Sequence, residues 1–232
     1  MIIFSFLAIH YVTFDVYGTL LDMSSITDRI KEIAKENNVD PVNAANTYSS
    51  SEDEVMYGEE YADLDVKIQR ALFWTDIYLN TNCFEKAYDR VIDAYNNLKP
   101  FPEVVEALTE IKNRGYTIAM MSNSMKAIMD NNRKALGDLF EIAYLADEVK
   151  NYKPRLEFFK YVHEKLDFDH NNHTHVAAGY WWDIFPAAEM KWPNKIWVNR
   201  GNMKSATIYD PQIEVHNLTE VINYLPQLND EL

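Results

Sequence analysis

The chain has one cysteine, Cys83, which excludes an internal disulfide and fits a reducing compartment. It lies in a stretch with helical spacing and reads as a packing residue, not a nucleophile. Basic residues are scarce too: 22 Lys and Arg face 36 Asp and Glu, a formal net charge of −14. That excess repels phosphate backbones and anionic bilayers, so neither nucleic acid nor a membrane surface is an expected partner. Any anionic substrate must be held by local groups that overcome the global field. Long apolar runs are missing as well, and nothing is long enough to span a bilayer. The first ten residues are apolar but carry no basic leader and no cleavage motif. They run straight into the next apolar segment, so they read as buried strand rather than signal peptide. A cytoplasmic location is the expectation. No internal repeat or low-complexity tract interrupts the chain.

What is present is ample material for a core. The 232 residues are 47% hydrophobic and 25% charged, enough for one ordinary domain plus an inserted subdomain. Residues 9–14 form an apolar, β-branched and aromatic run that delivers one carboxylate, Asp15, and breaks at Gly18-Thr19. This predicts a buried strand ending in a tight loop, with Asp15 at the strand end where open α/β sheets bind ligands. From 23 to 99 the pattern is helical, with segments at 41–57, 61–80 and 84–98 and a first helix capped by Ser24-Ser25. The insertion is rich in aromatics, most of which are expected in the core of a small bundle. Lys99-Pro100-Phe101-Pro102 is a stiff return linker. Beyond it helices and apolar strands alternate: helices at 102–114, 125–136, 154–166 and 183–190, strands at 116–121, 141–145, 174–178 and 195–198. Such alternation gives a mainly parallel sheet with helices on both faces.

Three further segments carry chemistry. Ser122-Asn123 follows the strand at 116–121, where a hydroxyl and backbone amides can hold an anion at a helix N-terminus. Lys153 precedes Pro154 and a helix. Val-Ala-Ala-Gly-Tyr-Trp-Trp-Asp, 176–183, follows an apolar strand and presents Trp182-Asp183. Separately, His170, His173 and His175 cluster in a polar loop. Three imidazoles are able to bind a transition metal, but the spacing fits no recognised site, and surface histidines are the expectation.

Phe-Asp-Val-Tyr-Gly-Thr-Leu, 14–20, resembles the first motif of the haloacid dehalogenase superfamily, and Tyr17 in it resembles the L-2-haloacid dehalogenase branch. The resemblance covers essentially the whole chain. It implies an α/β, Rossmann-like core of residues 1–22 and 100–232, with an inserted all-helical cap at 23–99. It also implies a hydrolase in which Asp15 is the covalent nucleophile and Lys153 and Asp183 complete the catalytic set. Tyr17, Thr19, Ser122, Asn123 and Trp182 would then contact a small anionic substrate, Ser122 at its carboxylate and Asn123 at the leaving halide. A dehalogenase of this kind needs no metal cofactor. Family dehalogenases include dimers, so a homodimer is allowed, although no apolar stripe marks an interface.

Departures from the pattern are as informative. The family's water-positioning Ser and Asn fall on Ala178 and Tyr180, and its tyrosine after the lysine on Phe159. The stretch where the cap arginine belongs, 43–50, contains no basic residue, and Arg29 and Arg70 lie far from it. Three functions follow in order: hydrolytic dehalogenation of a small 2-haloacid; a Mg²⁺-dependent phosphatase using Asp15 and Asp183 as ligands; and a catalytically impaired binding protein. The phosphatase reading lacks the usual second aspartate, replaced by Tyr17, and an acidic ligand at Ala178.

Overall fold

The structure is a computed structural model that describes residues 9–58, 60–169, 171–205 and 213–228. Its centre is β1 (Tyr11–Phe14), whose Val12 and Phe14 are fully buried. Around it run β4 (Thr117–Ser122), β5 (Ile142–Leu145), β6 (His173–Ala177), β7 (Lys195–Val198) and β8 (Ile213–Val215) in the order β5-β4-β1-β6-β7-β8. Every pairing is parallel, and helices supply the crossovers. Phe14 is in register with both Met120 and Val176. The residues following β1, β4 and β6 therefore leave the sheet side by side. Successive connections diverge from β1 to either side there, which opens a crevice at the carboxyl ends of the strands.

The core helices follow their apolar spacing. In α5 (Val104–Asn113) the inward face is Val104, Ala107, Leu108 and Ile111, and Gly115 at φ +94° ends it. The remaining core helices are α6 (Lys126–Ala135), α7 (Ala146–Val149), α8 (Leu156–Leu166), α9 (Phe185–Glu189) and α10 (Leu218–Val221). The helix expected at 183–190 starts as a π turn at 180–184 before becoming α9.

Between core strands lies a helical insertion: α1 (Ser24–Glu36), α2 (Pro41–Gly58), α3 (Leu64–Leu79) and α4 (Tyr88–Asn96). It leaves and rejoins the core through a two-stranded antiparallel ribbon, β2 (Leu21–Asp22) with β3 (Lys99–Pro100). The chain is pinned at both crossings of this stem. The serine cap expected for α1 is replaced by Asp22, whose carboxylate accepts the Ser24 N–H at 2.8 Å. Most cap aromatics are not uniformly interior: Tyr48 and Tyr95 are buried, whereas Phe73 and Tyr78 face solvent. Cys83 sits in the loop after α3 instead of in a helix. Buried Asp76 accepts the N–H groups of Cys83, Phe84 and Glu85 there, so the turn is held by a carboxylate. No helix among the described residues is long and apolar enough to cross a membrane.

Candidate active site

Asp15 leaves β1 into a turn that only a residue at ease with positive φ completes, and Gly18 supplies it at +76°. The turn folds Thr19 back so that its hydroxyl donates to Asp15 Oδ2 at 2.5 Å. The Thr19 hydroxyl in turn accepts the Ala178 N–H at 2.7 Å, and Arg200 holds the Thr19 carbonyl at 2.8 Å. Thr19 is thus completely buried. In place of the substrate contact expected of it, Thr19 makes a hydrogen bond that orients the Asp15 carboxylate.

Lys153 reaches the same point from the loop before α8. Its Nζ lies 2.8 Å from Asp15 Oδ1 and 2.6 Å from Asp183 Oδ1, with the lysine side chain 1% exposed. Asn123 sets that lysine in place. Its Oδ1 accepts the Lys153 N–H at 2.7 Å, and its Nδ2 donates to the Lys153 carbonyl at 3.0 Å. Asn123 also borders the cavity, but its amide grips main chain, where the resemblance had it facing a halide.

Asp183 comes from the π turn after β6 and is fully buried. Gly179 closes that turn by accepting the Asp183 N–H at 2.9 Å. Asp183 Oδ2 has no hydrogen-bond partner in the protein. Behind Asp183 stands His175, with Nε2 3.2 Å from Oδ1. His173 and His175 correct the expectation of surface histidines: both are buried in β6, facing the core through Thr13. Their polar surroundings in the sequence suggest a loop, yet both are paired with Thr13 inside the sheet. His170 lies outside the described residues.

The electrostatics follow from burial and pairing. Burial alone would raise Asp183, but Lys153 and the His175 hydrogen bond outweigh it and hold its pKa below the ordinary carboxylate value. Burial, aided by the Asp183 charge and opposed by Lys153 and Thr19, pushes Asp15 up. Lys153 is penalised by burial, yet two carboxylates keep its pKa above the ordinary lysine value. Burial, with His175 beside it, drives His173 well down, so that imidazole is neutral.

Above this triad is a cavity of about 210 Å³, room for a few heavy atoms. The core wall brings Asp15, Tyr17, Asn123, Lys153, Trp182 and Asp183; the cap wall brings Glu52, Asp53, Met56, Leu64 and Tyr95. The Tyr17 hydroxyl is 2.7 Å from Ser124 Oγ, and its ring meets Tyr95 edge-on at 6.2 Å. Trp182 stacks on Tyr57 of α2 at 4.7 Å, joining core to cap. Ser122 is fully buried beside the cavity wall instead of on it, and its hydroxyl has no protein partner. Arg29 and Arg70 are both off the wall, so Lys153 is its one basic side chain.

The sequence did not single out Glu52, Tyr95 or Thr13. Tyr95 and Glu52 share a cavity-facing side of the cap that helical spacing alone did not distinguish from core. Magnesium fits poorly. Asp15 and Asp183 both direct Oδ1 at the Lys153 ammonium, Ala178 offers no side-chain oxygen, and the described residues contain no group of three acids, histidines or cysteines able to hold a metal.

A strand-end carboxylate, an ammonium shared with a second carboxylate, and a helical cap over the crevice make a compact charged site in an α/β core. Comparison with known proteins gives the family. Residues 9–190 match the model of the haloacid dehalogenase-like hydrolases, and the chain belongs to that family. It is 28% identical over 216 residues to an (S)-2-haloacid dehalogenase of Pseudomonas sp. strain YL, covering 91% of this chain and 92% of that one. It is 27% identical to (S)-2-haloacid dehalogenase 4A of Burkholderia cepacia, covering 93% and 91%. Among solved structures, the L-2-haloacid dehalogenase of Xanthobacter autotrophicus superposes with a TM-score of 0.79 at 21% identity, covering 93% of this chain and 98% of the other.

Proposed function

We propose that this protein is a hydrolytic dehalogenase of small 2-haloalkanoic acids. The observation that carries the reading is the Lys153 ammonium held between Asp15 at 2.8 Å and Asp183 at 2.6 Å at the floor of a small cavity. It is supported by relatives named (S)-2-haloacid dehalogenase that align over nearly the full length of both chains.

In the first step one Asp15 oxygen attacks the carbon bearing the halogen. A carbon–oxygen bond forms, the carbon–halogen bond breaks, and the halide leaves with the bonding pair. Lys153 keeps Asp15 ionised in a site whose burial favours the neutral acid. The turn after β4, where Asn123 borders the cavity, holds the substrate carboxylate through its main-chain amides. In the second step water attacks the ester carbonyl carbon, the bond from that carbon to the substrate oxygen breaks, and the 2-hydroxy acid leaves with the proton of the resulting Asp15 acid, which returns the carboxylate. Asp183, kept ionised by Lys153 and His175, accepts the proton from that water through its unpartnered Oδ2. Lys153 and Thr19 stabilise the oxyanion at the Asp15 carbon. No step uses a metal, and the donor set does not favour the phosphatase alternative.

The test is halide release from L-2-chloropropionate in EDTA, with Asp15→Asn alongside. Release by the wild type that disappears in the variant supports the reading. A silent wild type overturns it.

A further inference from the structure

Displacement by Asp15 sends the halide away from the core and toward the cap. The polar side chains that the cap brings to that wall are Glu52, Asp53 and Tyr95. Asp53 is exposed. Tyr95 is buried, and its hydroxyl donates to Glu52 Oε1 while standing 3.1 Å from the Tyr48 hydroxyl. Asn132 grips the Tyr95 carbonyl from α6 at 2.9 Å. Glu52 is therefore held by one oxygen in a tyrosine ladder, which leaves the other for the cavity. No arginine or lysine of the cap borders the cavity, and Lys153 already serves two carboxylates at the floor.

An ionised carboxylate at this position would repel a departing halide, whereas a carboxylic acid would donate to it. The surroundings select the acid. Asp53 on its own helix disfavours a further negative charge, Asp15 and Asp183 line the same cavity with Lys153 between them, and the Tyr95 hydrogen bond, which favours the ionised form, does not offset burial. Tyr48, Tyr95 and Tyr17 are neutral neighbours. Burial pushes the Glu52 carboxyl up to about 7.

We propose that Glu52, as a neutral carboxylic acid, donates the hydrogen bond that receives the halide as it leaves the carbon attacked by Asp15. The role rests on the dehalogenase reading. The proton stays on Glu52, the halide departs as an anion, and the charge that moves from Asp15 to the halide meets an O–H dipole in place of a fixed cation. The cap of this chain thereby performs with an acid a task that elsewhere would call for a base-rich wall. The pocket is consequently suited to neutral or acidic conditions.

The experiment is the pH dependence of kcat/KM for L-2-chloropropionate in the wild type, Glu52→Gln and Glu52→Ala. The wild type should lose activity in a one-proton step as pH rises through about 7. Glu52→Gln keeps an N–H donor without a titrating group, so it should lose the alkaline fall while remaining within about tenfold of the wild type. Glu52→Ala should lose about 10²–10³ in kcat. An alkaline fall that persists in Glu52→Gln, or wild-type kcat in Glu52→Ala, overturns the proposal. Bromide binding to the resting protein, read by tryptophan fluorescence, separates its failure from that of the dehalogenase reading. Binding that weakens with rising pH in the wild type, becomes pH-independent in Glu52→Gln and is lost in Glu52→Ala supports the donor even if haloacids are not turned over. Bromide binding indifferent to Glu52 overturns the donor even in an active dehalogenase.

Discussion

Nε2 of His175 lies 3.2 Å from Oδ1 of Asp183, and both side chains are fully buried. Asp183 is ionised and can only accept, so this ring nitrogen carries the proton. Nδ1 of His175 lies 2.8 Å from the Thr13 hydroxyl, which in turn stands 2.9 Å from His173 Nε2. Three neighbouring residues on β1 and β6 thus align one chain of hydrogen bonds toward Asp183. With Oδ1 fixed by His175 and Lys153, Oδ2 is left for water. Tyr180 packs edge-on against Trp197 at 5.0 Å.

His175 acts through Asp183 and is a positioning residue. His175→Ala is expected to lower kcat by about 10²-fold while changing KM little, since loss of alignment weakens the water attack and not substrate capture. His175→Gln, whose amide is able to donate to Asp183, should recover part of the loss. Equal activity in both variants, or a defect confined to KM, contradicts the role. Steady-state kinetics on folded, circular-dichroism-checked protein decides.

Removing the shared ammonium should be harsher than removing one of its partners. Lys153→Met leaves Asp15 and Asp183 buried together without a cation, a situation that typically costs 3–5 kcal/mol. One of the two then protonates. Halide release should fall by at least about 10³-fold, and the urea midpoint should drop markedly. A Lys153→Met protein that retains stability and turnover would refute the electrostatic account of the site.

Gly179 has an ordinary φ of −72°, so its constraint is space and not backbone conformation. A Cβ there would sit 2.7 Å from Asp183 Oδ2 and 3.0 Å from Trp182 Cβ. Gly179→Ala should therefore push the catalytic carboxylate off its position and cost about 10²-fold in kcat, with stability falling by only 1–2 kcal/mol. Thermal unfolding and turnover measured together check the split.

Glu52 makes stability depend on pH. The folded protein holds its proton to about pH 7, whereas the unfolded chain releases it near 4.5. Between those values the folded state binds more protons, so the contribution of Glu52 lowers stability as pH rises. Glu52→Gln removes that dependence. Relative to wild type it should gain of order 3 kcal/mol on passing from below the window to above it, measured by urea unfolding at each pH. A constant difference between the two proteins would place the Glu52 carboxyl at its ordinary value.

The fold was readable from periodicity because its elements obey local rules. An unbroken apolar run ending in Asp15 reads as a buried parallel strand, and two prolines in 99–102 mark the return from the cap beside a ribbon that pairs Leu21 with Pro100. Asp15, Lys153 and Asp183 were legible because their flanking residues resemble family motifs, and the sheet register then brings them together. The roles around them were less legible. Thr19 and Asn123 read as substrate ligands, yet their hydrogen bonds go to Asp15 and to the Lys153 main chain. Which of two acceptors a hydroxyl or amide chooses depends on tertiary distance, and sequence spacing carries no such distance. The same holds for His173 and His175, polar residues that belong inside because Thr13, on a strand 160 or more positions earlier, satisfies them. Glu52 was hidden by expectation of the opposite charge in that part of the cap.

The central claim is that Asp15 becomes an ester and is regenerated by water at its own carbonyl carbon. Turnover in oxygen-18 water, followed by mass spectrometry of the peptide containing Asp15, tests it directly. After many turnovers of L-2-chloropropionate the Asp15 carboxylate should carry oxygen-18, and under single-turnover conditions the lactate should carry the ordinary oxygen taken from Asp15. Labelled lactate from a single turnover with an unlabelled Asp15 peptide would mean that water attacks the substrate directly, and would contradict the account.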